Sequence, residues 1–169
     1  MIDFINVYKI INYNQHKDKF INLINKIPET YLIDENQKIS HTDWKIPITM
    51  KREYRDYFIK YIVGDFSKNL CSKFDSKEIE VKNIWFQVYK KGDFHNIHRH
   101  CGSQFTNVFF VNLPHKTLKT KIYNLDKNII NVNVEEGDIL TFPAFLKHES
   151  VVNTCEESKI IISFNLDII

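Results

Sequence analysis

The chain has few cysteines: Cys71, Cys101 and Cys155 in 169 residues. An odd number with no Cys-x-x-Cys spacing argues against a disulfide framework and fits free thiols in a reducing compartment. No apolar run approaches the roughly 18–20 residues that a membrane span needs. The opening stretch MIDFINVYKIINYNQHK has no basic start, long apolar segment or small-residue cleavage site, so no secretory signal is expected. These absences predict a cytoplasmic protein without membrane association. Charge of one sign is missing too. Lys and Arg number 23 against 21 Asp and Glu, a formal net charge of +2, with no run resembling an arginine-rich arm. Nucleic acid is therefore not an expected partner. Glycine occurs only four times, while Ile, Asn and Lys are abundant, a bias that fits an AT-rich viral or bacterial genome. There is no repeat, linker or low-complexity segment.

What is present points to one folded unit. A length of 169 residues, 43% hydrophobic and 26% charged, suits a single domain with a sizeable core. Residues 1–78 read as mostly helical. In 18–27, Phe20, Ile21, Leu23, Ile24 and Ile27 recur at helical spacing, and Pro28 closes the segment. Residues 31–49 read as a loop. Residues 50–71 read as a longer helix with Tyr54, Tyr57, Phe58, Tyr61 and Ile62 forming a stripe for the core. From residue 79 the pattern changes to short runs rich in β-branched and aromatic residues: IEVKNIWFQVYK, TNVFFVNLP, LKTKIYNL, VNVEEGDILTFP and SKIIISFNLDII. The stretch NLDKNI, 124–129, reads as a hairpin turn in which Asn and Asp replace glycine. Supporting helices followed by seven or eight strands predict an α+β protein with a β-sandwich or barrel over 79–169.

Three of the seven histidines fall in six positions of GDFHNIHRHCGS. His98 and His100 are one residue apart, so on a strand both imidazoles share a face and can reach one metal ion. His148, in TFPAFLKHES, follows another expected strand. Three ligands on two neighbouring strands cap one side of a metal and leave the other open for substrate or O₂. His95 is out of phase with His98 and reads as flanking; His16, His41 and His115 have no partners in sequence.

The order VYKKGDFHNIHRHCGS, TNVFFVNLP, EEGDILTFPAFLKHES and ESKIIISFN resembles the iron(II)/2-oxoglutarate-dependent oxygenases. More narrowly it is similar to the small prolyl-hydroxylase-like subfamily common in phages and marine bacteria. The resemblance covers residues 80–167 and implies a double-stranded β-helix, or jelly roll. It implies that His98, His100 and His148 bind Fe(II), with His100 where the commonest pattern has an aspartate. It implies that Lys159, on the last strand, stands for the arginine that holds the distal carboxylate of 2-oxoglutarate, as a point charge rather than a fork. Tyr89 matches a cosubstrate-contacting tyrosine, and Phe110 stands where a second is expected. Ile161 replaces a serine, so Ser163 or Asn165, on the same strand face as Lys159, are candidate substitutes. Three neutral ligands leave the full 2+ charge on the metal, which favours a dianionic cosubstrate and also opens the site to zinc, nickel or copper. Glu149, facing away from His148 on a strand, is a weak candidate carboxylate.

The same residues resemble cupins. Gly92, His98 and His100 fit a first cupin motif with Gln104 at the glutamate position, and Gly137, Pro143 and His148 fit a second with Phe145 at a glycine. That alternative is a three-His metalloprotein acting as a cosubstrate-free dioxygenase, isomerase or binding module. A third reading is a non-catalytic jelly-roll module for a sugar or protein partner. Lys159, eleven residues after His148, favours the oxygenase. Gln87 and Tyr89 share one strand face, as do Asn107 and Phe109, and inward faces would wall a pocket. Nothing in the sequence names the substrate, expected to be a small molecule or a protein side chain.

Overall fold

The computed structural model describes residues 4–47 and 49–169. The first three residues of the N-terminal stretch, and Ile48 within the expected 31–49 loop, lie outside the described residues. In chain order the elements begin with β1 (Asn6–Lys9), α1 (Asn14–Asn25), β2 (Leu32–Ile33), β3 (Gln37–Ile39), β4 (His41–Thr42), α2 (Glu53–Phe58) and α3 (Gly64–Phe74). They continue with β5 (Ile79–Tyr89), β6 (Phe94–His98), β7 (Phe105–Asn112), β8 (Lys121–Tyr123), β9 (Ile129–Ile130), β10 (Asp138–Pro143), β11 (His148–Ser150) and β12 (Lys159–Ile168). The strands make two six-stranded sheets, ordered β1-β10-β7-β12-β5-β4 and β2-β3-β6-β11-β8-β9. Their pairings are antiparallel throughout. This is the expected jelly roll with helical support.

Alternation along β12 explains how it separates two cores. Ile160, Ile162, Phe164 and Leu166 pack on the helical layer with Phe20, Phe58 and Phe66. Ile161 turns the other way, into the barrel, with Tyr89, Val108, Phe110, Ile122 and Phe142. Period-2 geometry puts Lys159, Ser163 and Asn165 on that inner face. A strand buried on both sides reads as one apolar run, as IIISF does.

The helices were legible, with shifts. The first begins at Asn14, earlier than the expected residue 18, and ends before Pro28. The second is one rod in which a π-helical turn, Ile59–Val63, joins α2 to α3. Its buried residues are Tyr54, Phe58, Ile62, Phe66 and Leu70, a strict four-residue repeat. On a 3.6-residue helix that repeat drifts by about 40° per step; the wider π turn takes up the drift and keeps the stripe on the core. Tyr61, expected in the stripe, is 49% exposed.

Three expectations are corrected. The 31–49 loop contains β2, β3 and β4, which are too short to carry a periodic signal; β3 joins β6 and β4 joins β5. The first half of the chain thus contributes strands to both sheets. Asn107 and Phe109 do not wall the barrel interior. Phe109 faces the helices, 5.7 Å from the stacked Phe58 ring and 5.2 Å from Phe20, while Asn107 bonds the Phe164 carbonyl and accepts from the Thr141 hydroxyl. Val108 and Phe110 face inside instead, paired with Ser163 and Ile161 on the inner face of β12. In the 124–129 turn Asn124 does anchor the Asn128 amide, but the left-handed residue is Lys127, at φ +65°. Gly137 is required where it stands: at φ +88° a Cβ would lie 2.5 Å from the Tyr13 ring. Among the described residues no helix is long and apolar enough to cross a membrane.

Phe109 is fully buried between the sheet and the helical layer. Phe109→Ala is expected to cost about 3–5 kcal/mol in urea unfolding, with an unchanged slope if only packing is lost.

Candidate metal centre

Strands β6 and β11 are neighbours, and their register sets His98 directly opposite His148. The two rings are 4.3 Å apart, centroid to centroid. His100 lies beyond the end of β6, so the strand alternation expected to place it does not. Its backbone amide donates to the Ala144 carbonyl at 3.0 Å, pinning it to the segment that leads into β11. Its ring sits 5.4 Å from that of His98 and 5.0 Å from that of His148. One ring nitrogen from each histidine lies within 4.8 Å of the other two. The sequence-identified triad therefore converges.

The other ring nitrogens fix the tautomers. His98 Nδ1 is 2.8 Å from the Asn96 carbonyl and His148 Nδ1 is 3.1 Å from the Leu146 carbonyl. His100 Nδ1 is 2.8 Å from Asn165 Oδ1, with the Thr106 hydroxyl 3.0 Å away. A carbonyl oxygen only accepts, so each Nδ1 carries the proton and each Nε2 keeps its lone pair for a cation. Burial pushes the pKa of all three below the ordinary imidazole value, His148 furthest, with repulsion from neighbouring imidazoles adding to the effect at His98 and His148. Neutral imidazole is the form a metal needs. The donor set fits a divalent transition metal.

His95 belongs to this group, although its sequence phase placed it aside. Between His98 and His95 β6 runs three residues, while between the paired His148 and Ser150 β11 runs two. The extra residue is a β-bulge, which returns His95 to the face of His98. The rings stack 3.7 Å apart and 11° from parallel. Burial first, then the adjacent histidines, press His95 down to about 3. A bulge depends on the partner strand, so nothing in GDFHNIH announces it. His95, His98 and His100 line a cavity of about 500 Å³ whose other walls include Trp44, Trp85 and Gln87.

Lys159 is fully buried in the barrel. Its Nζ donates to Ser150 Oγ at 2.8 Å and lies 5.3 Å from the Tyr89 ring centroid. Tyr89 is its direct cross-strand partner. No carboxylate pairs with Lys159 among the described residues, and burial lowers its pKa to about 7. Burial likewise raises the Tyr89 phenol. Ser163 lines the cavity, its hydroxyl donating to Gln87 Oε1 at 3.3 Å. Asn165 is turned onto His100, behind the cavity wall, and Thr106 donates to the same oxygen at 3.1 Å. Gln104 is exposed and accepts from the Ile168 amide at 2.9 Å, away from the triad. Glu149 faces outward to the Tyr123 hydroxyl.

Two facing antiparallel sheets with an imidazole triad at the cavity make a double-stranded β-helix with a candidate mononuclear metal site. Solved structures share this fold over nearly the whole chain. A Pseudomonas putida prolyl-4-hydroxylase is 12% identical over 96% of this chain and 92% of its own, with a TM-score of 0.63. The viral collagen prolyl hydroxylase of Paramecium Bursaria Chlorella virus-1, solved with 2OG, is 17% identical over 95% and 94%, TM-score 0.58. A Burkholderia pseudomallei oxidoreductase of the 2OG-Fe(II) oxygenase family is 9% identical over 95% and 84%, TM-score 0.69. No family model and no curated protein matches the chain. The fold is therefore the one these oxygenases use.

Two outcomes follow from the geometry. Asn165→Ala removes the acceptor that orients His100 and is expected to weaken metal affinity about 10–100-fold in chelator competition, with the circular dichroism spectrum retained. Lys159 carries a lowered folded pKa of about 7 against 10.5 unfolded. Between those values the unfolded state holds the extra proton, so stability rises with pH across that window and its contribution is flat below it. Lys159→Met should therefore stabilise the ligand-free protein at pH 7 by about 1–4 kcal/mol, and urea unfolding at pH 10 should show the gap narrowed.

Proposed function

We propose that the protein is an Fe(II)/2-oxoglutarate-dependent oxygenase that hydroxylates a C–H bond of a small molecule or a protein side chain. The observation that carries the reading is Lys159: a fully buried amine with no carboxylate partner among the described residues, linked through Ser150 to the strand that bears His148. An uncompensated buried cation is costly, and an anionic ligand supplies what the protein lacks. His148 and Ser150 are two residues apart on β11, roughly 6.6 Å at strand rise, which suits a short diacid held at the metal by one end and at Lys159 by the other.

In this reading His98, His100 and His148 hold the metal through Nε2. When bound, iron(II) and 2-oxoglutarate supply oxidative decarboxylation to succinate and CO₂ coupled to insertion of oxygen into the substrate. The residues of the chain do the rest. Lys159 and Ser150 anchor the distal carboxylate, and the Tyr89 ring closes the wall beside it. Ser163 and Gln87 present polar groups to the cavity, Asn165 and Thr106 hold His100 in register, and the apolar lining of Ile161, Val108 and Phe110 excludes water. Trp44, Trp85 and His95 line the cavity beside the triad, where a substrate would be held. The cupin alternative has less support, because Gln104 is tied to the end of β12 and the barrel carries a cation that a cosubstrate-free site does not need.

The test is anaerobic titration of Fe(II)-loaded protein with 2-oxoglutarate, followed by the weak visible charge-transfer band of the chelate and by succinate release in air. His98→Ala and His148→Ala are expected to abolish metal uptake. Lys159→Ala is expected to retain metal while raising the dissociation constant for 2-oxoglutarate at least tenfold, the order expected from losing a buried charge-assisted contact. An unchanged constant in that variant would move the assignment to the cupin class.

A further inference from the structure

The ligand-bearing segments present a second surface, turned away from the cavity. Ile97 and Arg99 alternate with His98 and His100, and Phe145 and Lys147 stand just before His148. With Leu125 and Lys127 of the β8–β9 turn they line a groove of about 320 Å³. A further depression of about 730 Å³ adjoins it across Arg99 and Phe145, runs to Phe4 and Phe74, and reaches the outer side of His100. Ile97, Leu125 and Phe145 are 51%, 56% and 55% exposed. Single exposed apolar residues are ordinary, but three around one groove form a patch of the kind that marks a binding surface.

The charge around the patch is one-sided. Among the described residues no Asp or Glu lines either depression. Arg99, Lys127 and Lys147 form no ion pair among the described residues, whereas Lys121, one strand away, is 3.7 Å from Glu149. Asp126 lies in the same turn but does not line the groove, and Glu149 is held by the Tyr123 hydroxyl. The surface therefore combines open aliphatic and aromatic side chains with cations that form no ion pair among the described residues.

We propose that this groove docks an extended, acidic segment of a partner protein in which carboxylates alternate with large apolar side chains. Apolar anchors would fill the spaces beside Ile97, Leu125 and Phe145, and carboxylates would meet Arg99, Lys127 and Lys147. Of the three exposed anchors only Phe145 offers a ring on which a base could stack, and a net charge of +2 gives little long-range pull on a polyanion. The inference stands on the outer surface alone and does not require the metal chemistry proposed above.

The experiment is fluorescence anisotropy with the full chain and four labelled probes: a peptide alternating Glu with Leu and Phe, the same peptide with Lys for Glu, oligo-glutamate, and a single-stranded oligonucleotide. The first probe is expected to bind, the other three at least tenfold more weakly. Leu125→Ser, Phe145→Ser and Lys127→Glu change exposed side chains, so unfolding midpoints should stay at the wild-type value while binding of the first probe falls at least tenfold. Amide shifts on titration should cluster at residues 97–99, 123–127 and 145–147. Equal binding of oligo-glutamate or the oligonucleotide would reduce the surface to a general anion patch and overturn the proposal. So would binding that survives Leu125→Ser and Phe145→Ser, or no binding at all.

Discussion

Three Nδ1–H···O bonds hold the centre of this molecule together. Two are local and alike: His98 and His148 each donate to the carbonyl two residues earlier, Asn96 and Leu146. The third crosses the barrel, from His100 to Asn165 on the opposite sheet. An imidazole free to flip or ionise could not keep a lone pair aimed at a shared point. The rest of the site inherits its geometry from these bonds, and the third makes the spacing between the sheets part of the coordination geometry.

The interior is electrostatically unfinished. The triad is neutral, so a divalent cation bound there would keep its full charge. Lys159 adds a second positive group on the same inner surface, reached through Ser150. Neither has a carboxylate partner among the described residues. Elsewhere the chain does bury charge in pairs: Asp43, fully buried, is 2.9 Å from Arg52 Nε and 3.2 Å from Arg55, with the Tyr54 hydroxyl and the Phe86 amide on its oxygens. The contrast separates an ion cluster satisfied within the protein from the groups that the proposed function assigns to a ligand.

Much of this was legible in residue order because it depends on local periodicity. The strands from Ile79 onward follow from alternation and residue type; the triad of His98, His100 and His148 follows from residue type and order, although His100 lies past the end of β6, and Lys159 is marked by the family resemblance. What was not legible depends on pairing between distant segments. His95 joins the cavity through a bulge that exists only against β11. Phe109 faces the helices because its partner on β12, Ile162, does. Asn165 was a candidate cosubstrate contact by strand phase, and phase did place it inward, but its partner is a histidine 65 positions away. Strands of two or three residues, such as β2 and β4, are too short to show any period.

The π-helical turn at Ile59–Val63 carries one residue more than an α-helix needs. Excising a single residue there would leave an unbroken α-helix, and Phe66 and Leu70 would still fall within about 60° of Tyr54 at 100° per residue. Lengthening it would swing them off the sheet. Chain length is thus elastic at this point in one direction only, and the helix that backs the barrel tolerates a shortened reading of its own sequence where an added residue would undock it.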